Sequence, residues 1–262
     1  MANLKRINGN QSVRTLYNWM TQFADPIRIT HALRSLIWYV RDWRRYARLP
    51  SAERISIIDS WPQLHDRTPK TPFDTHYFWM SGWAMRRIVA QNPSKHVDVG
   101  SHTMFVNLLN VVVPVTFVDY RPLDAEVQGL TNLQGDILNL PFADKTVQSL
   151  SCLHVAEHIG LGRYGDLLNP CGTRQACAEL QRVLAPGGNL YFAVPVGRPR
   201  LCFNSCRIYA PQTIVEYFDR VELVEFSGVH DDGRYLEWVS LEEFSNSRYA
   251  CGMFCFHRAL PG

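Results

Sequence analysis

From about residue 92 onward, short β-branched runs alternate with segments of helical spacing. Strands separated by helices connect in parallel, and helices then cover both faces of the sheet. Two late strand candidates have little helix between them, which predicts an antiparallel last strand. The predicted strands are residues 97–99, 113–118, 148–153, 190–194, 221–226 and 252–256, and the predicted helices are residues 105–110 and 173–184. The pattern therefore predicts an α/β fold with a mostly parallel sheet.

The first 90 residues show helices and loops instead of this alternation. We therefore predict an N-terminal helical extension or lid over residues 1–90 and a core over residues 91–262. The best helix of the extension, residues 29–47, carries Leu33, Ile37 and Val40 on one face and arginines largely elsewhere. This face either packs on the core, which we favour, or makes peripheral contact with an anionic membrane surface.

The composition excludes several classes of protein. Hydrophobic residues make up 46% and charged residues 19% of the chain, as in a folded soluble protein. A formal net charge of +3 is too small to indicate nucleic acid as a partner.

The seven cysteines form no dense disulfide framework, so we predict a reducing, cytoplasmic compartment. No apolar run reaches the roughly 20 residues of a membrane span, and the polar N-terminus is unlike a signal peptide. A homodimer is left open.

Two motifs at strand ends predict a nucleotide-like ligand. Residues 96–101 (HVDVGS) end a strand, turn at Gly100 and begin a helix, so the backbone can approach a ligand and the helix offers free N–H groups. Asp119 ends the next strand, where a carboxylate can accept hydrogen bonds from both ribose hydroxyls. Each motif also has an ordinary explanation, namely a strand-to-helix turn and an aspartate that caps the next helix.

A third motif consists of Gly135, Asp136 and Ile137, followed by LPFAD at residues 140–144. The Asp136 carboxylate can bind an adenine amine while Ile137 packs on the ring. An ordinary turn is the alternative.

Together with residues 155–159 (VAEHI) and 179–188 (ELQRVLAPGG), these motifs resemble class I S-adenosylmethionine-dependent methyltransferases. The similarity is good over residues 92–195 and loose beyond them. Residues 154–166 (HVAEHIGLGRYGD) are similar to a poorly characterised subgroup associated with sugar and polysaccharide pathways. The resemblance implies a Rossmann-like, seven-stranded, mostly parallel sheet with helices on both faces and an antiparallel last strand.

The resemblance also implies S-adenosylmethionine as cofactor. It assigns the methionine end to Asp98, Gly100 and Ser101, the ribose to Asp119 and Tyr120, the adenine to Asp136 and Ile137, and the surroundings of the methyl to His154.

The chain departs from the family at the glycine loop, where His102 and Met104 replace glycines and carry bulk toward the cofactor side. A non-catalytic member of the fold, holding a nucleotide or a protein partner, therefore stays as the alternative. The missing glycine fingerprint disfavours a nicotinamide-dependent oxidoreductase.

Three titratable residues follow the fourth predicted strand: His154, Glu157 and His158. Methyl transfer to a hydroxyl needs a base, and histidine titrates near neutrality. The alternatives are a structural histidine at His158 and a brace at Glu157. We predict O-methylation of a small or sugar-containing acceptor.

A long glycine-rich segment, residues 160–172, follows this cluster. Ligands of open α/β sheets bind at the carboxyl ends of strands. We therefore predict that Arg163, Tyr164 and Asp166 bind the acceptor.

Two cysteine pairs, Cys202 with Cys206 and Cys251 with Cys255, have a spacing that zinc sites use. Cys251 and Cys255 alternate with Met253 along a predicted strand, however, so core packing explains them more simply. His154 and His158 lack the glutamate of a zinc-protease motif. The sequence thus predicts no metal.

Overall fold

A computed structural model of the chain describes residues 11–261. The polar N-terminus and the first ten residues of the predicted extension lie outside them. The chain forms two compact units, Met1–Asp74 and Thr75–Gly262. Residues 75–90, which we predicted as part of the extension, thus lie in the second unit.

The described part of the first unit contains α1 (Gln11–Met20) and α2 (Pro26–Tyr46). Asp25 begins α2 as its N-cap, because its carboxylate accepts the backbone N–H groups of Ile27 and Arg28. Ser35 is buried, whereas Ile37 on the apolar stripe is 75% exposed. Within the first unit, the apolar face of α2 is therefore uncovered.

The second unit begins with α3 and ends with β10. Its elements, in chain order, are α3 (Thr75–Gln91), β1 (His96–Val99), α4 (Thr103–Asn110), β2 (Val115–Asp119), β3 (Leu130–Gln134), β4 (Val147–Leu153), a 3₁₀ turn (Ala156–His158), α5 (Gly172–Val183), β5 (Leu184–Val196), β6 (Arg200–Cys202), β7 (Cys206–Ile208), α6 (Pro211–Tyr217), β8 (Glu222–Val229), β9 (Tyr235–Leu236), a second 3₁₀ turn (Leu241–Phe244) and β10 (Ala250–His257).

The central sheet has eight strands in the order β3-β2-β1-β4-β5-β10-β8-β9. The strands β1 to β5 are parallel to one another, whereas β10 runs antiparallel between β5 and β8. This confirms the predicted Rossmann-like, mostly parallel sheet with an antiparallel last strand. The eighth strand is the two-residue β9, which pairs with β8 at the edge. A separate hairpin is formed by β6 and β7.

Alternating residues of β5 divide between two hydrophobic clusters, one on each face of the sheet. Phe192 and Val194 belong to the cluster that also contains α5 residues, whereas Tyr191 and Ala193 belong to the one that contains residues of α3 and α4. This period of two is what a strand buried on both faces requires.

A buried ion pair fastens α3 to β8. The Arg87 guanidinium donates to both carboxylate oxygens of Glu225, at 2.9 and 2.6 Å. Trp83 Nε1 donates to the same carboxylate at 2.9 Å. The Glu225 side chain is only 3% exposed. Its buried negative charge is therefore stabilised by these partners instead of by water.

The strand order reverses between β1 and β4, which is where open α/β sheets form a ligand crevice at the carboxyl ends of their strands. Because β10 is antiparallel, its first residues reach the same edge: Cys251 lies opposite Pro195 near the end of β5. Among residues 11–261, none of the helices combines the length and apolarity that a bilayer crossing requires.

Candidate functional site

The turn after β1 is shaped by Gly100, whose φ of +68° lies in the left-handed region. A β-carbon at this position would lie 3.0 Å from Val155 Cγ1 and 3.7 Å from Asp119 Oδ2. Only glycine therefore fits between the ends of β2 and β4 without strain. The result is a backbone cradle beside a carboxylate, at the switch point of the sheet.

The side chains of Asp98 and Ser101 hold this turn from beneath. Asp98 Oδ1 accepts the Ser101 N–H at 3.0 Å, and its Oδ2 accepts the Ser151 hydroxyl. Ser101 Oγ in turn accepts the Leu153 N–H at 3.0 Å. Both predicted cofactor side chains thus point into the protein, where they fix the shape of the turn.

A polar network that the sequence analysis missed lies below Asp98. His96 Nδ1 lies 2.7 Å from Ser149 Oγ, and its Nε2 lies 2.8 Å from Ser151 Oγ. Burial lowers the pKa of His96 to about 3 and raises that of Asp98 to about 6. The two alternating serines in the apolar β4 were the available signal.

Asp119 ends β2 with one oxygen engaged and the other facing the cradle. Its Oδ1 accepts the Arg121 N–H at 2.7 Å, whereas its Oδ2 is the oxygen near Gly100. Tyr120 beside it is 53% exposed. This pair is accessible to a ligand at the position predicted for a ribose.

The two residues predicted to bind adenine differ in their exposure to solvent. Asp136 is exposed, and its Oδ1 accepts the Leu138 N–H at 2.9 Å. Ile137 packs in the core and keeps only 6% of its surface exposed. A ring could therefore contact only the edge of Ile137.

The two bulky residues of the altered glycine loop lie at the start of α4. His102 is the N-cap, since its Nδ1 accepts the Met104 N–H at 3.2 Å. The Met104 side chain is 58% exposed. Histidine here replaces the cap that Ser or Asp would give.

His154 follows β4 with a φ of +58°, which a side-chain-bearing residue adopts rarely. Its Nδ1 lies 3.1 Å from Glu157 Oε1, and its Nε2 lies 3.2 Å from Cys251 Sγ. Burial disfavours a charged ring, but Cys251 and Glu157 outweigh it and raise the pKa of His154 above its ordinary value.

Glu157 is a fully buried carboxylate. Its Oε1 lies 3.6 Å from His158 Nε2 as well as beside His154. No atom of the described residues, however, gives either oxygen a well-aligned hydrogen bond. Burial raises the pKa of Glu157, but His158 and His154 outweigh it, so the net shift is downward.

His158 is fixed by a backbone carbonyl. Its Nδ1 donates to the Ser205 carbonyl oxygen at 2.6 Å. Arg163 Nη1 donates to the same oxygen at 3.1 Å. Burial lowers the pKa of His158.

The predicted acceptor residues form the loop after this cluster. Asp166 ties the loop together, since it accepts the N–H groups of Gly160 and Tyr164 at 2.7 and 3.2 Å. The guanidinium groups of Arg121 and Arg163 lie 4.5 and 5.1 Å from the centre of the Tyr164 ring. Tyr164 and Arg163 of this loop, together with Arg121 after β2, thus form a group suited to a ligand.

His76 and Cys251 complete the surroundings of His154, and neither was predicted as a site residue. The His76 ring stacks on Tyr249 at 5.1 Å and lies 5.5 Å from the His154 ring. Cys251, which we assigned to core packing, is indeed buried but also contacts His154. No local pattern signals this group, because its members come from α3, the end of β4 and β10.

Comparison with known sequences gives one partial match. A family model described as "Caenorhabditis protein of unknown function, DUF268" matches residues 139–249, less than half of the chain. No curated protein is similar enough to count as a match.

Among solved structures, N-methyltransferase NodS from Bradyrhizobium japonicum WM9, in complex with S-adenosylhomocysteine, is 15% identical with a TM-score of 0.51, over 83% of this chain and 97% of that one. The [4+2]-cyclase SpnF is 14% identical with a TM-score of 0.50, over 70% and 82% of the two chains. YcgJ from Bacillus subtilis is 10% identical with a TM-score of 0.50, over 70% of this chain and all of that one. The chain therefore has the Rossmann-like fold of class I methyltransferases.

Proposed function

We propose that the chain is an S-adenosylmethionine-dependent methyltransferase. The supporting observation is the cradle at Gly100, with Asp119 Oδ2 3.7 Å from the place a β-carbon would take. It lies at the switch point between β1 and β4, where this fold binds nucleotides. When bound, this cofactor supplies an activated methyl group on a sulfonium.

The residues of the cradle suit this cofactor. Asp119 would accept hydrogen bonds from the ribose hydroxyls, while the backbone of Gly100 and Ser101 would approach the methionine end. Asp136 would bind the adenine amine beside the edge of Ile137. The buried contacts of Asp98 would keep the turn open to the ligand.

For the transfer itself, we assign proton removal to His158. Its Nδ1 donates to a carbonyl, which leaves Nε2 as the accepting nitrogen. Glu157 Oε1 lies 3.6 Å from this Nε2 and would stabilise the ring once it has taken up the proton. The two nitrogens of His154 lie 3.1 and 3.2 Å from Glu157 and Cys251, whereas the contacts of His158 Nε2 with Arg163 and Glu157 are longer, at 3.4 and 3.6 Å. We therefore assign His154 a positioning role.

The acceptor we propose is a small molecule or glycan that presents a hydroxyl. Tyr164 and Arg163 lie on the loop next to His158, and Arg121 reaches the Tyr164 ring from the connection after β2. Guanidinium groups favour an acceptor that also carries an anionic group such as a carboxylate or phosphate.

The first test is calorimetric titration of the purified chain with S-adenosylmethionine and with S-adenosylhomocysteine. We expect micromolar binding of both. Asp119→Ala should weaken binding roughly 10- to 100-fold, because hydrogen bonds to a charged group contribute about 1.5–3 kcal/mol. Asp124→Ala is the control, since it removes an exposed carboxylate from the same β2–β3 connection.

An unchanged Asp124→Ala variant beside a weakened Asp119→Ala variant supports the proposal. Absence of binding at millimolar cofactor would refute it. Binding without transfer to any hydroxyl acceptor would favour a non-catalytic module.

A further inference from the structure

We propose that His76, His154 and Cys251 form a site for one divalent transition-metal ion of the zinc type. Each offers one ligand atom, and the three atoms lie within 4.8 Å of one another. The inference goes beyond the methyltransferase proposal, because these side chains can hold the ion whether or not a cofactor binds.

The donor set fits such an ion. Imidazole nitrogen and thiolate sulfur are the ligands that zinc prefers, at about 2.0–2.1 and 2.3 Å. Two such ligands of one tetrahedral ion are roughly 3.5 Å apart by this geometry. The His154 Nε2 to Cys251 Sγ distance is 3.2 Å, so these two atoms are already close to a shared coordination sphere.

His76 supplies the third ligand from the first turn of α3. Its ring lies 5.5 Å from that of His154 and stacks on Tyr249. Because its side chain is only partly buried, it can move the short distance that coordination needs. Three protein ligands leave a fourth position for water or for an oxygen of an acceptor, as in catalytic zinc sites.

Glu157 provides an independent observation. Metal-bound histidines usually donate their other N–H to a carboxylate. In His154 the ring nitrogen that would stay off the metal, Nδ1, lies at ion-pair distance from such a carboxylate, 3.1 Å from Glu157 Oε1, while Nε2 lies toward Cys251. The left-handed backbone of His154 holds the ring in this orientation at a local cost.

The charges also match. Glu157 as carboxylate and Cys251 as thiolate would place two negative charges in a buried volume, and a divalent ion would neutralise both. The empty and the occupied site differ in whether sulfur bonds to a metal, which can be measured directly.

The test uses the full-length chain, stripped with a chelator and titrated with Co²⁺. We expect one equivalent to bind, with a sulfur-to-cobalt charge-transfer band and intense visible bands of a tetrahedral site. Cys251→Ser should abolish the charge-transfer band. Cys255→Ser is the matched control, since it is a buried thiol further along β10 and in the same hydrophobic cluster.

Two further variants guard against misfolding of Cys251→Ser. His76→Ala alters a partly buried side chain and should lower Co²⁺ affinity at least tenfold. Glu157→Gln should lower it about 10- to 100-fold, as losses of such supporting carboxylates do. Circular dichroism of each variant reports whether it is folded.

Retention of the band by Cys255→Ser, with its loss in Cys251→Ser and weakened binding in His76→Ala, supports the site. No Co²⁺ binding at micromolar concentration would refute it. A band that survives Cys251→Ser would also refute it, and would point to Cys202 and Cys206, which face each other across β6 and β7.

Discussion

Gly100 combines two constraints that can be separated by experiment. Its φ of +68° makes any β-carbon unfavourable, and Val155 Cγ1 stands 3.0 Å from where that atom would be. Gly165 has a φ of +85° but nothing within 4 Å of such an atom. Gly165 therefore carries the backbone constraint alone.

We expect Gly165→Ala to lower the free energy of unfolding by about 1 kcal/mol, the cost of a left-handed alanine. Gly100→Ala should cost about 2–3 kcal/mol because crowding against Val155 adds to that cost. Combining Gly100→Ala with Val155→Ala should recover the crowding part. Urea denaturation measures the free energy of unfolding of all three variants. Equal losses in Gly165→Ala and Gly100→Ala would contradict the assigned contact between residue 100 and Val155.

At the scale of elements, β1 and β4 are joined by buried groups that titrate with opposite signs. His96 keeps a pKa of about 3, below the 6.5 of an unfolded histidine. Its contribution to stability is complete above pH 6.5 and is lost as the pH falls toward 3. Asp98 has a raised pKa of about 6, so its contribution is complete below about pH 4 and is lost as the pH rises through 6.

Between pH 6 and pH 4 the two contributions therefore cancel. We predict that His96→Asn unmasks Asp98: relative to the unmodified chain, the variant should gain about 1.4 kcal/mol for each unit that the pH falls in this window. Asp98→Asn should show the opposite slope. Unfolding free energies at pH 4, 5 and 6 test this, and parallel curves for all three proteins would contradict it.

The sequence predicted the elements whose own apolar period matches their burial, such as β5 and α5. It missed β3, which is a sheet-edge strand with no fully buried residue. It also missed the three-residue strands β6 and β7. These elements are set by pairing with neighbours, which leaves little trace in local periodicity.

At the scale of the whole molecule, the core belongs to the second unit. Within residues 11–261, every buried apolar side chain lies at or beyond Met80. The helix α3 contributes Trp83 and Arg87, which hold the buried carboxylate of Glu225. The boundary predicted from the strand–helix alternation, between residues 90 and 91, would separate these partners.

We predict that a chain starting at Thr75 folds cooperatively, whereas one starting at residue 92 does not. Removing α3 would uncover its cluster and leave Glu225 as an unpaired buried charge, which costs about 3–5 kcal/mol. Thermal unfolding followed by circular dichroism compares the two. A cooperative transition in the shorter chain would show that α3 is an accessory helix.

The candidate site shows the same limit of sequence reasoning. Gly100 and Asp119 could be predicted because each ends its own strand. The sequence also pointed to His154, but its grouping with His76 and Cys251 could not be predicted, since only the strand order brings α3, β4 and β10 to one edge. Sequence spacing therefore located the cradle but not its neighbour.

The antiparallel position of β10 has a consequence for biosynthesis. Cys251 follows His154 by 97 residues, so a ribosome adding about 5–20 residues per second reaches it roughly 5–20 s later. During that interval the nascent chain carries His154 and Glu157 without the thiol, and β5, once made, lacks β10 beside it. The group of His76, His154 and Cys251 is thus assembled late, by the strand that also completes the core.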